Sequence, residues 1–184
     1  MNKVFTIGQG FQVPDETIVS PFLNSKDSKS DLPWDLVEGF SIAAGEIAPN
    51  SKSKIHVMPL VQQVTFVLSG KLEVCMKDIH TPSPYTLALG ENQAVLTLAG
   101  TFLQLINYTD SPCRVLYIVN PPYLFDKEDD QILYDDSICF DEDWKALADW
   151  NWQPPRLREA NLNAESRRAA AERVALRKRY VLQR

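Results

Sequence analysis

Residues 45–70 read GEIAPNSKSKIHVMPLVQQVTFVLSG. Within them Gln63-Val64-Thr65-Phe66-Val67-Leu68 partly alternates polar with apolar side chains, the pattern of a strand lying between two environments. Ser69-Gly70-Lys71 then turns the chain straight into Leu72-Glu73-Val74, so two strands meet across a tight bend. The same grammar continues outward: Leu89-Gly90-Glu91-Asn92 and Tyr108-Thr109-Asp110-Ser111-Pro112 are further turns, with Gly, Asn, Asp and Pro at the bends. Strands are expected near 38–47, 54–58, 61–68, 71–77, 85–89, 93–97, 102–107 and 113–119. A spacing of roughly ten residues between short β-prone runs points to an all-β sandwich or barrel.

A second stretch, residues 90–107, reads GENQAVLTLAGTFLQLIN. Together the two stretches resemble the paired signature motifs of the cupin superfamily. His56-Val57-Met58-Pro59 stands at the His-x-His-Pro site of the first motif, Gln63 at its Glu/Gln and Gly70 at its closing Gly. In the second motif Leu98-Ala99-Gly100 replaces Pro-x-Gly, Leu103 stands where a His would be, and Asn107 is intact. The resemblance covers about residues 37–120. It implies a double-stranded β-helix, the cupin jelly-roll barrel, with a site inside one open end and a homodimer as the common assembly.

The departures from the motif bear on chemistry. In metal-binding members three His and one Glu or Gln hold the ion; position by position, that set here is His56, Met58, Gln63 and Leu103. Leu103 ligates nothing, and the Met58 thioether suits soft Cu(I) better than the common divalent ions. One imidazole and one amide oxygen make a poor cage, since tight sites use about three or four good ligands. The expectation is therefore no metal cofactor; a divalent metal held by His56 and Gln63 is the minority alternative. The other histidine, His80, falls in a loop.

By family position His56, Met58, Gln63 and Leu103 face inward. Strand parity adds Thr65 beside Gln63, and Leu105 and Asn107 beside Leu103. These seven residues are the expected ligand-binding wall, mainly apolar with a few polar handles, as small-molecule sites usually are. Asn107 also reads as a cap on the turn that follows it. His56 is the candidate general acid/base, because an unperturbed imidazole titrates near neutral pH. Among members of the family that this chain resembles, the metal-free sugar-nucleotide epimerases use a His inside the barrel this way and pair it with a carboxylate and a tyrosine. No carboxylate falls at an inward motif position here, and Arg114, Tyr117 and Tyr123 are rim candidates that spacing does not fix. Gln104 is expected to face away from the cavity.

The rest of the chain divides into an N-terminal arm (1–36) and, beyond the barrel (37–125), an acidic linker and C-terminal helical extension (126–184). From Asp126 to Asp143 nine acidic residues stand against one Lys. A short helix is expected over 141–150, ended by Pro154-Pro155, and a longer one over 163–180. From Arg156 onward nine Lys and Arg face three Glu, a basic segment that suits packing on the acidic stretch or binding an anionic partner. The arm is a candidate for adding a strand to a neighbouring subunit.

Composition removes several classes. A net charge of −5 disfavours nucleic acid as partner. No apolar stretch approaches the ~20 residues of a membrane span, and Met1-Asn2-Lys3-Val4-Phe5 lacks a signal-peptide core, so no membrane partner and a cytoplasmic location are expected. Three dispersed cysteines, Cys75, Cys113 and Cys139, fit reduced thiols. The leading expectation is a small-molecule-binding cupin, metal-free or weakly metal-binding, either a plain binder or an isomerase, lyase or cyclase with His56 as proton shuttle. The alternatives are a metal-dependent enzyme such as an oxygenase, and a non-enzymatic sensor or assembly module acting through the C-terminal helix.

Overall fold

The computed structural model describes residues 4–24, 39–78, 80–128 and 131–148. Its strands are Phe11–Gln12 (β1), Ile18–Leu23 (β2), Ser41–Ile47 (β3), Ser51–Lys52 (β4), Ile55–Val57 (β5), Gln62–Ser69 (β6), Leu72–Lys77 (β7), Tyr85–Leu89 (β8), Ala94–Thr97 (β9), Phe102–Asn107 (β10), Cys113–Asn120 (β11), Phe125–Glu128 (β12), Gln131–Asp135 (β13) and Ile138–Phe140 (β14). They form two antiparallel sheets, β1-β2-β3-β11-β6-β9 and β14-β5-β10-β7-β8, with β4 pairing on β10 and a separate hairpin β12-β13. This is an all-β jelly roll. Each of the eight strands read from the sequence is present.

The two sheets meet over one core. Alternate residues of β11 (Cys113, Val115, Tyr117, Val119), of β7 (Leu72, Val74, Met76) and of β10 (Leu103, Leu105) are buried in it. Each such side chain, fully removed from water, stabilises the fold by about 1.5–3 kcal/mol before its ordering entropy is counted. Two glycines bear directly on the barrel's packing. Gly70, in the turn between β6 and β7, has φ +89°, and a Cβ there would lie 3.2 Å from the Cys113 Cα and the Pro112 carbonyl. Gly45 in β3 lies under the Tyr117 ring, where a Cβ would come within 2.3 Å of Cε2.

The second sheet also buries its outer face. Ile55, Val57 and Phe102 pack there against Phe140 and Leu147, with Trp144 alongside. Gln104 lies among them, donating to the Ser53 carbonyl (2.7 Å) and accepting from the Trp144 indole (2.9 Å). Lys77, also buried, donates to the carbonyls of Leu147 and Ala148.

Two expectations change here, and the arm gains a place in the fold. The stretch read as an acidic linker carries three strands, and β14 extends the second sheet by pairing with β5, Cys139 opposite His56. Its acidic residues hid this, because only three residues, Ile138-Cys139-Phe140, carry the strand. Residues 141–148 form turns, not a helix: the Asp143 carboxylate caps the Ala146 N–H, Leu147 bonds back to Asp143, and Ala148 reaches only Lys145. The arm adds its β1-β2 hairpin to the edge of its own β3. The helix expected over 163–180 and the basic segment from Arg156 lie outside the described residues. No helix among the described residues is long and apolar enough to cross a membrane.

Candidate functional site

In β5 the residues Ile55-His56-Val57 are all buried, yet the pleat sends them two ways. Ile55 and Val57 enter the outer cluster, and His56 faces between the sheets. There it lines a cavity of about 640 Å³, walled by β3, β11, the arm and the segment after β13.

Four of the seven expected wall residues, His56, Met58, Gln63 and Leu105, line this cavity. The other three lie elsewhere. Thr65 is fully buried and accepts a hydrogen bond from the Gln63 amide (3.1 Å), which ties Gln63 to the wall. Leu103 is fully buried in the core, opposite His56 and Met76 in register. Asn107 is buried at the far end of β10. Its amide donates to the carbonyls of Ile47, Ala48 and Ser111, and its oxygen accepts from the Thr109 N–H and hydroxyl. That is a complete turn-holding network with nothing left for a ligand.

The sequence reading missed the carboxylates. Asp15 reaches the cavity from the turn that follows β1, where the Val13 carbonyl accepts from Glu16 and the Val13 N–H donates to Thr17. Its Oδ1 accepts from the Thr17 N–H (3.0 Å) and hydroxyl (2.7 Å), and its backbone carbonyl accepts from the Lys54 N–H (2.8 Å). Its Oδ2 lies 3.6 Å from His56 Nδ1. The same Nδ1 is 3.1 Å from the Lys54 carbonyl, an acceptor, which favours the tautomer with hydrogen on Nδ1 and the lone pair on Nε2.

Asp135, at the end of β13, is the second carboxylate on the wall. Its Oδ1 accepts from the Tyr123 hydroxyl and from the Ser137 N–H (2.9 Å). Burial pushes its carboxyl up to about 6, opposed by the Tyr123 and Ser137 hydrogen bonds. Burial and the neighbouring Asp135 charge hold the Tyr123 phenol well above its ordinary range. Burial also raises Tyr117, opposed by the nearby Thr17 hydroxyl; the Tyr117 hydroxyl is buried, with no partner within hydrogen-bonding distance. Cys139, pushed up to about 12 by burial and the two aspartates, stays a neutral thiol at physiological pH.

Of the rim candidates, Tyr117 and Tyr123 reach the cavity and Arg114 does not; it is exposed elsewhere on β11. Tyr117 was legible from β11 parity, which places it with Cys113, Val115 and Val119. Asp15 and Asp135 carried only the weak Asx-turn signals Asp-x-Thr and Asp-x-Ser.

No family model matches the sequence, and no curated protein sequence does. Solved structures match through the fold. Oxalate oxidase superposes with a TM-score of 0.50 at 16% identity, over 62% of this chain and 56% of that one. The capsular polysaccharide assembling protein CapF from Staphylococcus aureus superposes with 0.52 at 14% identity, over 75% of this chain and 32% of that one. The chain has the cupin fold. The match spans little more than half of oxalate oxidase and about a third of CapF.

Cupin metal chemistry does not fit this donor set. The four motif positions supply an imidazole, a thioether, an amide already tied to Thr65 and an isobutyl group. Among the described residues no three His, Cys, Asp or Glu side chains are grouped to hold an ion.

Proposed function

We propose that the cavity binds a small organic molecule and that His56 acts on it as a general acid/base without a metal cofactor. The observation that carries this reading is the held imidazole: Nδ1 faces the Lys54 carbonyl and the Asp15 carboxylate, and Nε2 has no hydrogen bond among the described residues. A carboxylate behind an imidazole fixes its orientation and stabilises the imidazolium once Nε2 takes a proton, the logic of a His–Asp pair. Tyr123, hydrogen-bonded to Asp135, stands on the same wall as a hydroxyl that can hold or return a proton. A volume of about 640 Å³ lies within the usual range for a small-molecule site.

Base and acid groups on one wall suit proton abstraction and return at carbon, the step shared by isomerases, lyases and cyclases. The test starts from a metabolite library screened by thermal shift. Each hit is then incubated in D₂O and its C–H exchange followed by NMR. Wild type is expected to exchange one C–H of a bound compound, and His56→Gln to keep binding while losing exchange at least a hundredfold. Equal exchange in the variant removes His56 from the chemistry.

A further inference from the structure

The reading of the cavity as a small-molecule site leaves open which charge it accepts, and this rests on that reading. Asp15 and Asp135 each use only Oδ1 for hydrogen bonds; among the described residues neither Oδ2 accepts one. Both carboxylates act on the same groups, raising Tyr123 and Cys139 together, so their charges converge on one stretch of wall. Among the described residues on that wall, only His56 can take a positive charge, and it stands beside Asp15. The nearest lysine, Lys54, does not line the cavity; its ammonium is held by Asp141 (2.9 Å) and Glu16 (3.7 Å).

Independent of the carboxylates, Tyr117 lines the cavity and is more than nine-tenths buried, and its hydroxyl has no partner within hydrogen-bonding distance. A buried hydroxyl without a partner is a group that a ligand is placed to satisfy. Phe11, Tyr117, Tyr123 and Phe125 bring four aromatic rings to the same space, with Phe11 and Phe125 5.8 Å apart. Rings and carboxylates around one cavity are the environment that attracts an organic cation and repels an anion.

We infer that this cavity selects an organic ammonium ion, with Asp15 Oδ2 and Asp135 Oδ2 as its counter-charges, the aromatic rings against its apolar body and the Tyr117 hydroxyl as a further polar contact. Carboxylate and phosphate compounds are excluded by the same charges.

Three probes of one shape test this by calorimetry on the full chain at pH 8: benzylammonium, benzyl alcohol and benzoate. Benzylammonium is expected to bind at least tenfold more tightly than the alcohol, and benzoate not to bind. Asp135→Asn is expected to remove that preference while leaving the alcohol's affinity within about twofold; Asp15→Asn serves the same purpose if the first variant does not fold. Equal or tighter binding of the alcohol or of benzoate overturns the charge assignment and leaves the small-molecule reading standing. Binding of none of the three at millimolar concentration overturns both. A tenfold preference that survives in both aspartate variants removes the counter-ion role.

Discussion

The two sides of β5 lie in different surroundings. On the outer side Ile55 and Val57 meet Phe102, Phe140 and Leu147 in an apolar cluster sealed by the segment after β13. On the inner side, one residue away, His56 stands beside Asp15 on a cavity wall that also carries Asp135, Tyr117 and Tyr123. The difference teaches how the fold divides labour. The outer face is a packing surface whose polar groups, Gln104 and Lys77, are fully bonded. The inner face keeps groups with spare valence: His56 Nε2, the Tyr117 hydroxyl and one oxygen on each aspartate. Polar groups without protein partners, gathered on one cavity wall, are groups that a ligand can engage.

Mutation can pull the two sides apart. The largest effect is expected at Phe140→Ala, which empties the centre of the outer cluster: a loss of about 3–5 kcal/mol in urea unfolding, with cavity binding unchanged in the protein that remains folded. A loss below about 1 kcal/mol would mean that β14 and the following turns are not part of the folded unit. Gly45→Ala acts on the inner side. Its Cβ would strike the Tyr117 ring, so a loss of about 1–3 kcal/mol is expected together with weakened cavity binding. Unchanged binding would show that Tyr117 does not shape the cavity.

A smaller effect concerns pH. The Asp135 carboxyl titrates near 6 in the folded protein and near 3.8 when unfolded, so between these values the folded state binds more protons. Its contribution to stability is therefore present below about pH 4 and is lost as pH rises through 6. One side of the carboxyl faces the cavity, where water screens it, and the loss is about 1–2 kcal/mol. Urea midpoints of wild type and Asp135→Asn across pH 4–7 should diverge over that window, the variant gaining relative to wild type as pH rises. Parallel curves would contradict the buried-acid account. The smallest effect is expected at Trp144→Phe, where the outer cluster keeps its packing but Gln104 loses a donor, at a cost of about 1 kcal/mol. A cost above about 3 kcal/mol would mean that the indole does more than bond to Gln104.

How much of this was legible depends on where each residue gets its instructions. The eight central strands followed from turn chemistry and alternation, because Gly70 and Asn92 occupy positive-φ positions at the bends the sequence marks. His56, Met58 and Gln63 followed from the motif, since β5, β6 and the short link between them hold them to the inner face. Leu103 and Thr65 share that inward parity but lie at depths the core fills; parity gives the face and not the depth. Asp15 and Asp135 were out of reach for a different reason. Each is placed by a turn whose position depends on long-range pairing, β2 on β3 for one and β14 on β5 for the other. The same long-range pairing turned an acidic stretch into the strand that covers β5.

The proposed acid/base wall stands where metal-binding cupins hold an ion. Elemental analysis by mass spectrometry, on protein purified without a His-tag and without chelator, tests it most directly. Well under a tenth of a transition-metal ion per chain is expected, unchanged in His56→Ala. About one ion per chain, lost in His56→Ala, would contradict it.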